Sequence, residues 1–175
     1  LRYDYFSDGH ISRLTPKVSA RYQPIHNLNV RLSYGMGFRA PTLKEKYYNF
    51  DMSGIWIVEG NSSLKPEVSQ NFNASVDYTK GHYNFTVSAY CNRIENKIAT
   101  GAPYYKNPSD VVPHLPYINL NHYIVSGGEA TAQARWTNGI TARYSYAYTH
   151  ERLPKDKNDK AVNNQYIPAR KHSMT

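Results

Sequence analysis

Apolar and polar residues alternate with a period of two along most of the chain. Between residues 28 and 39 one row carries Leu28, Val30, Leu32, Tyr34, Met36 and Phe38, and the other Asn29, Arg31, Ser33, Gly35, Gly37 and Arg39. The same two-sided pattern sets Val18, Ala20 and Tyr22 against Lys17, Ser19 and Arg21. It sets Val68, Phe72, Ala74, Val76 and Tyr78 (with Gln70 as the exception) against Ser69, Asn71, Asn73, Ser75 and Asp77. It recurs in Tyr83 to Cys91, in Ala130 to Trp136 and in Ile140 to Tyr148. Successive side chains of a strand point to opposite faces, so each segment is predicted as a strand with one apolar and one polar face. About eight strands result, over residues 1–6, 13–22, 28–39, 67–79, 82–98, 117–136, 140–150 and 165–175.

The connections alternate as well. Residues 23–27, Lys80-Gly81 and Asn138-Gly139 are tight, the last with the composition of a type I′ hairpin turn. Residues 40–66, 100–116 and 151–165 are long and rich in Pro, Asn, Ser, Lys and Tyr. Every second connection is short and every other one long. A transmembrane barrel has this rhythm, with short periplasmic turns and long extracellular loops. A soluble β-sandwich has no reason to sort loop lengths by side.

Energetics then fix the facing. A lysine or arginine at the midplane of a lipid-facing surface costs roughly 2–4 kcal/mol. Arg21, Arg31 and Arg143 all lie in polar rows, so those rows are expected to face a wet lumen and the apolar rows to face lipid. Tyr22, Tyr34, Phe38, Tyr78, Tyr83, Trp136 and Tyr148 then fall near strand ends, where aromatic girdles form. The fold expected is all-β, a segment of an antiparallel transmembrane barrel. The first strand has no lead-in and the last has no terminating aromatic, so the segment is expected to belong to a larger barrel. Eight strands closing on themselves around a packed interior, a complete small barrel with a structural or adhesive role, form the alternative.

Composition narrows the chemistry. Seventeen Tyr, five Phe and two Trp among 175 residues suit pleated surfaces and wet–dry boundaries and exclude an all-helical protein. No run of about 18 apolar residues exists, which excludes a spanning helix. Cys91 is the single cysteine, so there is no disulfide framework and no thiolate metal cluster. The seven histidines (His10, His26, His82, His114, His122, His150 and His172) show no metal-ligand spacing. No nucleophile elbow, phosphate loop or dinucleotide fingerprint occurs, so neither an enzyme nor a bound cofactor is expected. The formal charge of +8 is scattered, with Lys and Asp alternating over residues 155–160. Stacking of nucleic-acid bases would need Tyr and Lys/Arg on one face, and here most strand tyrosines lie opposite the arginines, so no nucleic acid is expected.

Two motifs carry a family resemblance. Gly35-Met36-Gly37-Phe38-Arg39-Ala40-Pro41-Thr42-Leu43-Lys44-Glu45 resembles the "GFRAPT-L-E" box of TonB-dependent outer-membrane receptors. Gly60-Asn61-Ser62-Ser63-Leu64-Lys65-Pro66-Glu67 resembles the companion "GN-x-x-L-K-P-E" box one loop later. The residues that carry the match are Phe38, Arg39, Ala40, Pro41, Asn61, Leu64, Lys65, Pro66 and Glu67. Leu14-Thr15-Pro16, Asn119, Gly128-Glu129 and Tyr166-Ile167-Pro168 are also family-like. The resemblance implies that residues 1–175 are part of a barrel of about 22 strands, without the plug, the TonB box and the closing C-terminal strand. It implies uptake across the outer membrane of a Gram-negative bacterium, driven through TonB acting on the missing N-terminal region. The ligand would be a ferric siderophore or other iron chelate, or haem or cobalamin. Residues 42–59 hold no histidine, so axial haem ligation from this loop is not expected.

At the mouth of such a barrel, Lys44, Lys46 and Lys65 would attract a carboxylate-bearing chelate, and Tyr47, Tyr48 and Trp56 would stack on its rings or rim. Arg39 at the strand end has two readings, ligand contact or a structural pair with Glu45, Glu67 or a carboxylate of the plug. Strand edges left open in a segment studied alone are expected to pair between molecules.

Overall fold

The computed structural model describes residues 1–6, 11–152 and 170–174. Its strands are β1 (Arg2–Phe6), β2 (Ile11–Thr15), β3 (Lys17–Ile25), β4 (Leu28–Arg39), β5 (Phe50–Asp51), β6 (Ile57–Glu59), β7 (Glu67–Lys80), β8 (Tyr83–Glu95), β9 (Lys97–Thr100), β10 (His114–Leu120), β11 (Tyr123–Arg135), β12 (Thr141–Arg152) and β13 (Arg170–Met174). A single short helix, α1 (Leu43–Tyr47), is present among the described residues. Seven strands form one antiparallel sheet in the order β13-β12-β11-β8-β7-β4-β3. β1 and β2 make a separate hairpin, and β5, β6, β10 and β9 a four-stranded sheet at the loop end. Among the described residues β3 and β13 do not meet, so the sheet stays open and the eight-strand closure does not form. The loop 151–165 and the Tyr166-Ile167-Pro168 motif lie outside the described residues, except for the end of β12.

Register carries the two faces from strand to strand. Ala20, Leu32, Ala74, Ala89, Gly128 and Tyr148 are successive cross-strand partners in one row of the apolar face. The polar face is laced by side chains: Arg21 donates to Asn29 and Arg31 pairs with Asp77 at 3.0 Å. Thr86 also donates to Asp77, and the hydroxyls of Thr131 and Ser145 meet at 3.0 Å. Arg21 and Arg31 are direct cross-strand partners, and turning to separate polar partners relieves their repulsion. Exposure is inverted relative to a water-soluble sheet. On β8, Tyr83, Phe85, Val87 and Ala89 are exposed, whereas Asn84, Thr86, Ser88 and Tyr90 are half-buried. Among the described residues no second layer covers the apolar rows, as an apolar surrounding requires.

The outer limit of the apolar face fixes the strand tilt. Apolar residues end at Phe38 on β4, Cys91 on β8 and Tyr148 on β12. Phe38 shares a row with Glu95, four residues beyond Cys91. Cys91 shares a row with His150, two residues beyond Tyr148. The limit thus falls six residues, about 20 Å, over four strand spacings of about 19 Å. A level apolar band therefore demands strands inclined by about 45°, the tilt of an outer-membrane barrel.

Several predicted elements are broken. Residues 13–22 divide at Pro16, which brings no amide hydrogen to a ladder; its carbonyl instead accepts from Met36 at 2.9 Å. β3 runs on to Ile25 through Pro24, which an edge strand tolerates, with a register shift between Tyr22 and Ile25. Residues 82–98 divide at Asn96 (φ 53°), and residues 117–136 at His122 (φ 61°). β10 starts at His114, shortening the predicted loop 100–116. Asn138 is not left-handed and Gly139 is (φ 88°). The Trp136 amide donates to Ile140 and the Gly139 amide to Trp136, so the connection is a three-residue loop ending in a left-handed glycine, not a type I′ turn.

If the apolar face meets hydrocarbon, Val87→Arg will destabilise the lipid-embedded barrel by about 2–4 kcal/mol. Ser88→Arg, one residue on and facing the opposite way, will change it by less than about 1 kcal/mol. Denaturant titration of the full barrel in lipid vesicles measures both, and a larger loss for Ser88→Arg than for Val87→Arg would reverse the facing.

Candidate functional site

Both resemblance boxes meet at the loop end, and the segment between them is built by local chemistry. Pro41 follows β4 and stops its ladder. Thr42 then caps α1: its hydroxyl accepts from the Glu45 amide at 3.2 Å, while Glu45 Oε2 accepts from the Thr42 amide at 2.8 Å. Such a reciprocal cap holds a helix of only five residues. β5 and β6 follow, and Gly60 lies against the α1 backbone. A Cβ there would sit 2.9 Å from the amide nitrogens of Tyr47 and Tyr48, so only glycine permits the approach.

The second box docks on the other hairpin. Left-handed residues at Asn96 and His122 bend β9 and β10 away from the line of β8 and β11. β10 then pairs with β9 on one side and, in parallel, with β6 on the other. Asn119 Oδ1 accepts from the Lys65 amide at 2.8 Å, and its Nδ2 donates to the carbonyls of Lys65 (2.9 Å) and Asn96 (2.8 Å). Asn61 Nδ2 donates to the Tyr117 carbonyl at 2.9 Å. Beneath these bonds sit Val58, Leu64, Ile98, Leu120 and Tyr123, each 3–8 % exposed and the only buried hydrophobic residues among those described.

Arg39 anchors this knot. Its Nε and Nη2 donate to the two oxygens of Glu67, both at 3.0 Å, and Nη1 donates to Glu45 at 3.0 and 3.1 Å. Glu67 Oε1 also accepts from the Ile98 amide at 2.6 Å. One guanidinium thus joins the end of β4, the start of β7 and α1, and every one of its nitrogens has a carboxylate partner. For Arg39 the geometry is that of the structural pair. Burial pushes the Glu45 carboxyl up, but hydrogen bonds from Thr42 and Arg39 outweigh it and hold the group below its ordinary value.

The remaining predicted residues surround the knot. Lys44 Nζ stands 4.1 Å from the Phe50 ring centre. Tyr47, Tyr48 and Trp56 are 56, 63 and 41 % exposed. Tyr47 closes α1 and Tyr48 follows it, while Trp56 lies between β5 and β6. The Lys65 side chain is exposed and its backbone is bound to Asn119. A further cluster escaped the sequence. Glu59 accepts from the Tyr104 hydroxyl, meets His114 Nδ1 at 2.8 Å and lies 3.8 Å from Lys106 Nζ. It joins the first long loop to the second. The Tyr104 hydroxyl chiefly, opposed by burial and reinforced by His114 and Lys106, holds the Glu59 carboxyl below its ordinary value. No group of three metal-ligating side chains lies together among the described residues.

Two expectations follow. Asn119→Ala removes two hydrogen bonds between the hairpins and one within its own, each worth about 1 kcal/mol. Exchange of the Lys65 amide in the full receptor should accelerate at least tenfold. Glu45 and Glu59 have depressed folded-state values, so their contribution is complete above the ordinary glutamate range near pH 4.5 and is lost as pH falls through the lowered values. Exchange at the β6–β10 pairing, corrected for the intrinsic amide rate at each pH, should therefore rise on acidification below about pH 4.5. Acid-insensitive exchange would remove the carboxylates from the knot.

Comparison with known proteins agrees with this architecture. The chain is 29% identical over 168 residues to the vitamin B12 transporter BtuB of Photobacterium profundum, matching 95% of this chain and 25% of that protein. It is 28% identical over 150 residues to an iron-regulated outer membrane virulence protein of Vibrio cholerae, covering 79% and 22%. The chain thus spans about a quarter of the length of these curated relatives. The siderophore receptor PirA of Pseudomonas aeruginosa has the same fold, with a TM-score of 0.72 at 16% identity over 81% of this chain and 29% of that one. The FrpB iron transporter of Neisseria meningitidis gives 0.60 at 21% identity over 82% and 20%. The family model described as "TonB dependent receptor-like, beta-barrel" matches residues 1–175, and the chain belongs to that family as part of the barrel.

Proposed function

We propose that this chain is a stretch of barrel wall and outer loops in an outer-membrane receptor that takes up a scarce nutrient by TonB-dependent transport. The ligand is a metal chelate, foremost a ferric siderophore or other iron chelate, with haem or cobalamin as the alternatives. The plug, the TonB box and the closing strand belong to the rest of the protein in this reading, and TonB acts through that missing N-terminal region. The carrying observation is the knot: two long loops fixed to one another through Asn61 and Asn119, with Arg39 clamping the base of the first, at one end of an amphipathic wall. A fixed platform of this kind presents Tyr47, Tyr48 and Trp56 to solvent with Lys44 and Lys65 nearby in the chain. Exposed aromatic rings suit the flat faces of catecholate or tetrapyrrole ligands, and lysines suit their anionic groups. The roles that the relatives are named for, vitamin B12 transport and siderophore reception, support the same class.

The test uses cells expressing the complete receptor, supplied with radiolabelled ferric siderophores, haem or cobalamin. One ligand should be taken up in a TonB-dependent manner. Tyr47→Ala, Tyr48→Ala and Trp56→Ala together should weaken its binding to isolated outer membranes by tenfold or more, with barrel abundance unchanged. Arg39→Ala should instead lower the amount of folded receptor. Uptake that does not depend on TonB for any of the three ligand types would overturn the proposal.

A further inference from the structure

The Glu59 cluster joins the two outer segments at a point that the Arg39 and Asn119 contacts do not reach. Tyr104 and His114 exchange backbone hydrogen bonds of 2.9 and 2.7 Å, which closes residues 105–113 into a loop. Their rings lie beside one another, centres 5.7 Å apart, and both side chains meet Glu59 of β6. The His114 and Glu59 side chains are only 12 and 17 % exposed, so water screens their contact weakly. Trp56 stands three residues before Glu59, at the end of a hairpin that turns through left-handed Ser53 (φ 54°) and Gly54 (φ 72°). Its carbonyl accepts from the Met52 amide at 2.8 Å, and the next amide, that of Ile57, donates to the Pro113 carbonyl at 3.0 Å. The exposed indole therefore hangs on a hairpin whose attachment to the second loop runs through residues 57–59.

Hydrogen-bond chemistry fixes what His114 does there. An ionised carboxylate only accepts, so Nδ1 carries the hydrogen in its 2.8 Å contact with Glu59 Oε1. Nε2 has no hydrogen bond among the described residues and takes up a proton from water without giving up a partner. That step turns a neutral hydrogen bond into a charge-assisted one, roughly twice as strong. The other ionisable groups around the pair come from three segments. Lys106 Nζ lies 3.8 Å from Glu59 Oε1, and the Tyr104 hydroxyl donates to Oε2. Asp110 accepts from the Asn107 amide at 2.7 Å, and Asp51 of β5, the partner of Ile57, accepts from the Gly54 amide at 2.7 Å. Of these residue types only histidine ordinarily changes charge between about pH 5 and 8.

We propose that Glu59 and His114 form a proton-operated clasp, with Glu59 the positioning residue that holds the Trp56 hairpin against the second loop. Uptake of a proton by His114 tightens the clasp, and its loss loosens it. At mildly acidic pH the two outer segments are held as one body with the indole fixed; at alkaline pH the hairpin lifts from β10 more often. The hold passes through a maximum, because Glu59 is itself neutralised once the pH falls through its lowered value, and the anionic acceptor is then gone. The service of Trp56 to a ligand rests on the receptor function proposed above, whereas the clasp rests only on the contacts of the two loops.

Hydrogen exchange of the complete receptor in lipid vesicles, without ligand and corrected for the intrinsic amide rate at each pH, reads the clasp directly. Protection of the Ile57 amide should rise about fivefold between about pH 8 and about pH 5.5, the gain of a charge-assisted bond over a neutral one. Amides of β7, in the barrel wall, should show no such rise. His114→Gln keeps a side-chain donor but cannot take the charge, and Glu59→Gln removes the anionic acceptor. Both should flatten the profile, with heat-dependent gel mobility confirming a folded barrel. Lys106→Gln should keep the fivefold rise. A flat profile in the unaltered receptor, or an undiminished rise in His114→Gln or Glu59→Gln, would overturn the clasp. Nutrient uptake by cells is measured separately: uptake independent of TonB would remove the transport reading and leave the exchange result standing.

Discussion

A sheet one layer thick has no interior, so its strands are joined by ladder hydrogen bonds and its two faces are matched to two different surroundings. Everything else in the chain answers to that constraint. The polar face satisfies itself laterally, through Arg21–Asn29, Arg31–Asp77–Thr86 and Thr131–Ser145. Among the described residues nothing covers the apolar face, which stays exposed. In water such a wall would present a large greasy surface; against hydrocarbon the same surface contributes stability, because the ladder bonds between neighbouring strands are satisfied within the sheet. Side-chain burial is displaced to the loop end, where two hairpins fold over one another.

Packing on the lumen side follows the same logic. Tyr90 belongs to a polar row, yet it lies across Gly127, its cross-strand partner, with its hydroxyl 3.0 Å from that of Thr149. A Cβ at Gly127 would stand 2.7 Å from that hydroxyl oxygen. The glycine makes room for a ring that covers exposed backbone and joins β8 to β12 across β11. The family-like Gly128 next to it belongs to the apolar face, so two adjacent glycines serve opposite sides of the wall.

Much of this was legible in the sequence. Period-two alternation gave the faces, and the short–long rhythm of connections gave their ends, because both are properties of neighbouring residues. Thr42-Leu43-Lys44-Glu45 also spells a helix cap locally. The bends were not legible: left-handed backbone at Asn96 and His122 depends on β10 leaving the line of β11 to pair with β6. The contact of Glu59 with His114 joins residues 55 apart, and no local pattern announces it. Arg39 was readable as a pair with Glu45 or Glu67, and the structure satisfies both together. The proline breaks needed knowledge of which strand was at an edge, which depends on the whole sheet.

The parallel pairing of β6 with β10 has a mechanical consequence. It is only three residue pairs long, shorter than any of the antiparallel ladders in the seven-stranded sheet, and it is the seam along which the two outer segments meet. A force applied at the tip holding Trp56 would travel through β6 into β10, and from there through the Asn119 side chain to the pivots at Asn96 and His122. The two segments are therefore geared together, so that displacing one either turns its neighbour or unzips a seam of three pairs.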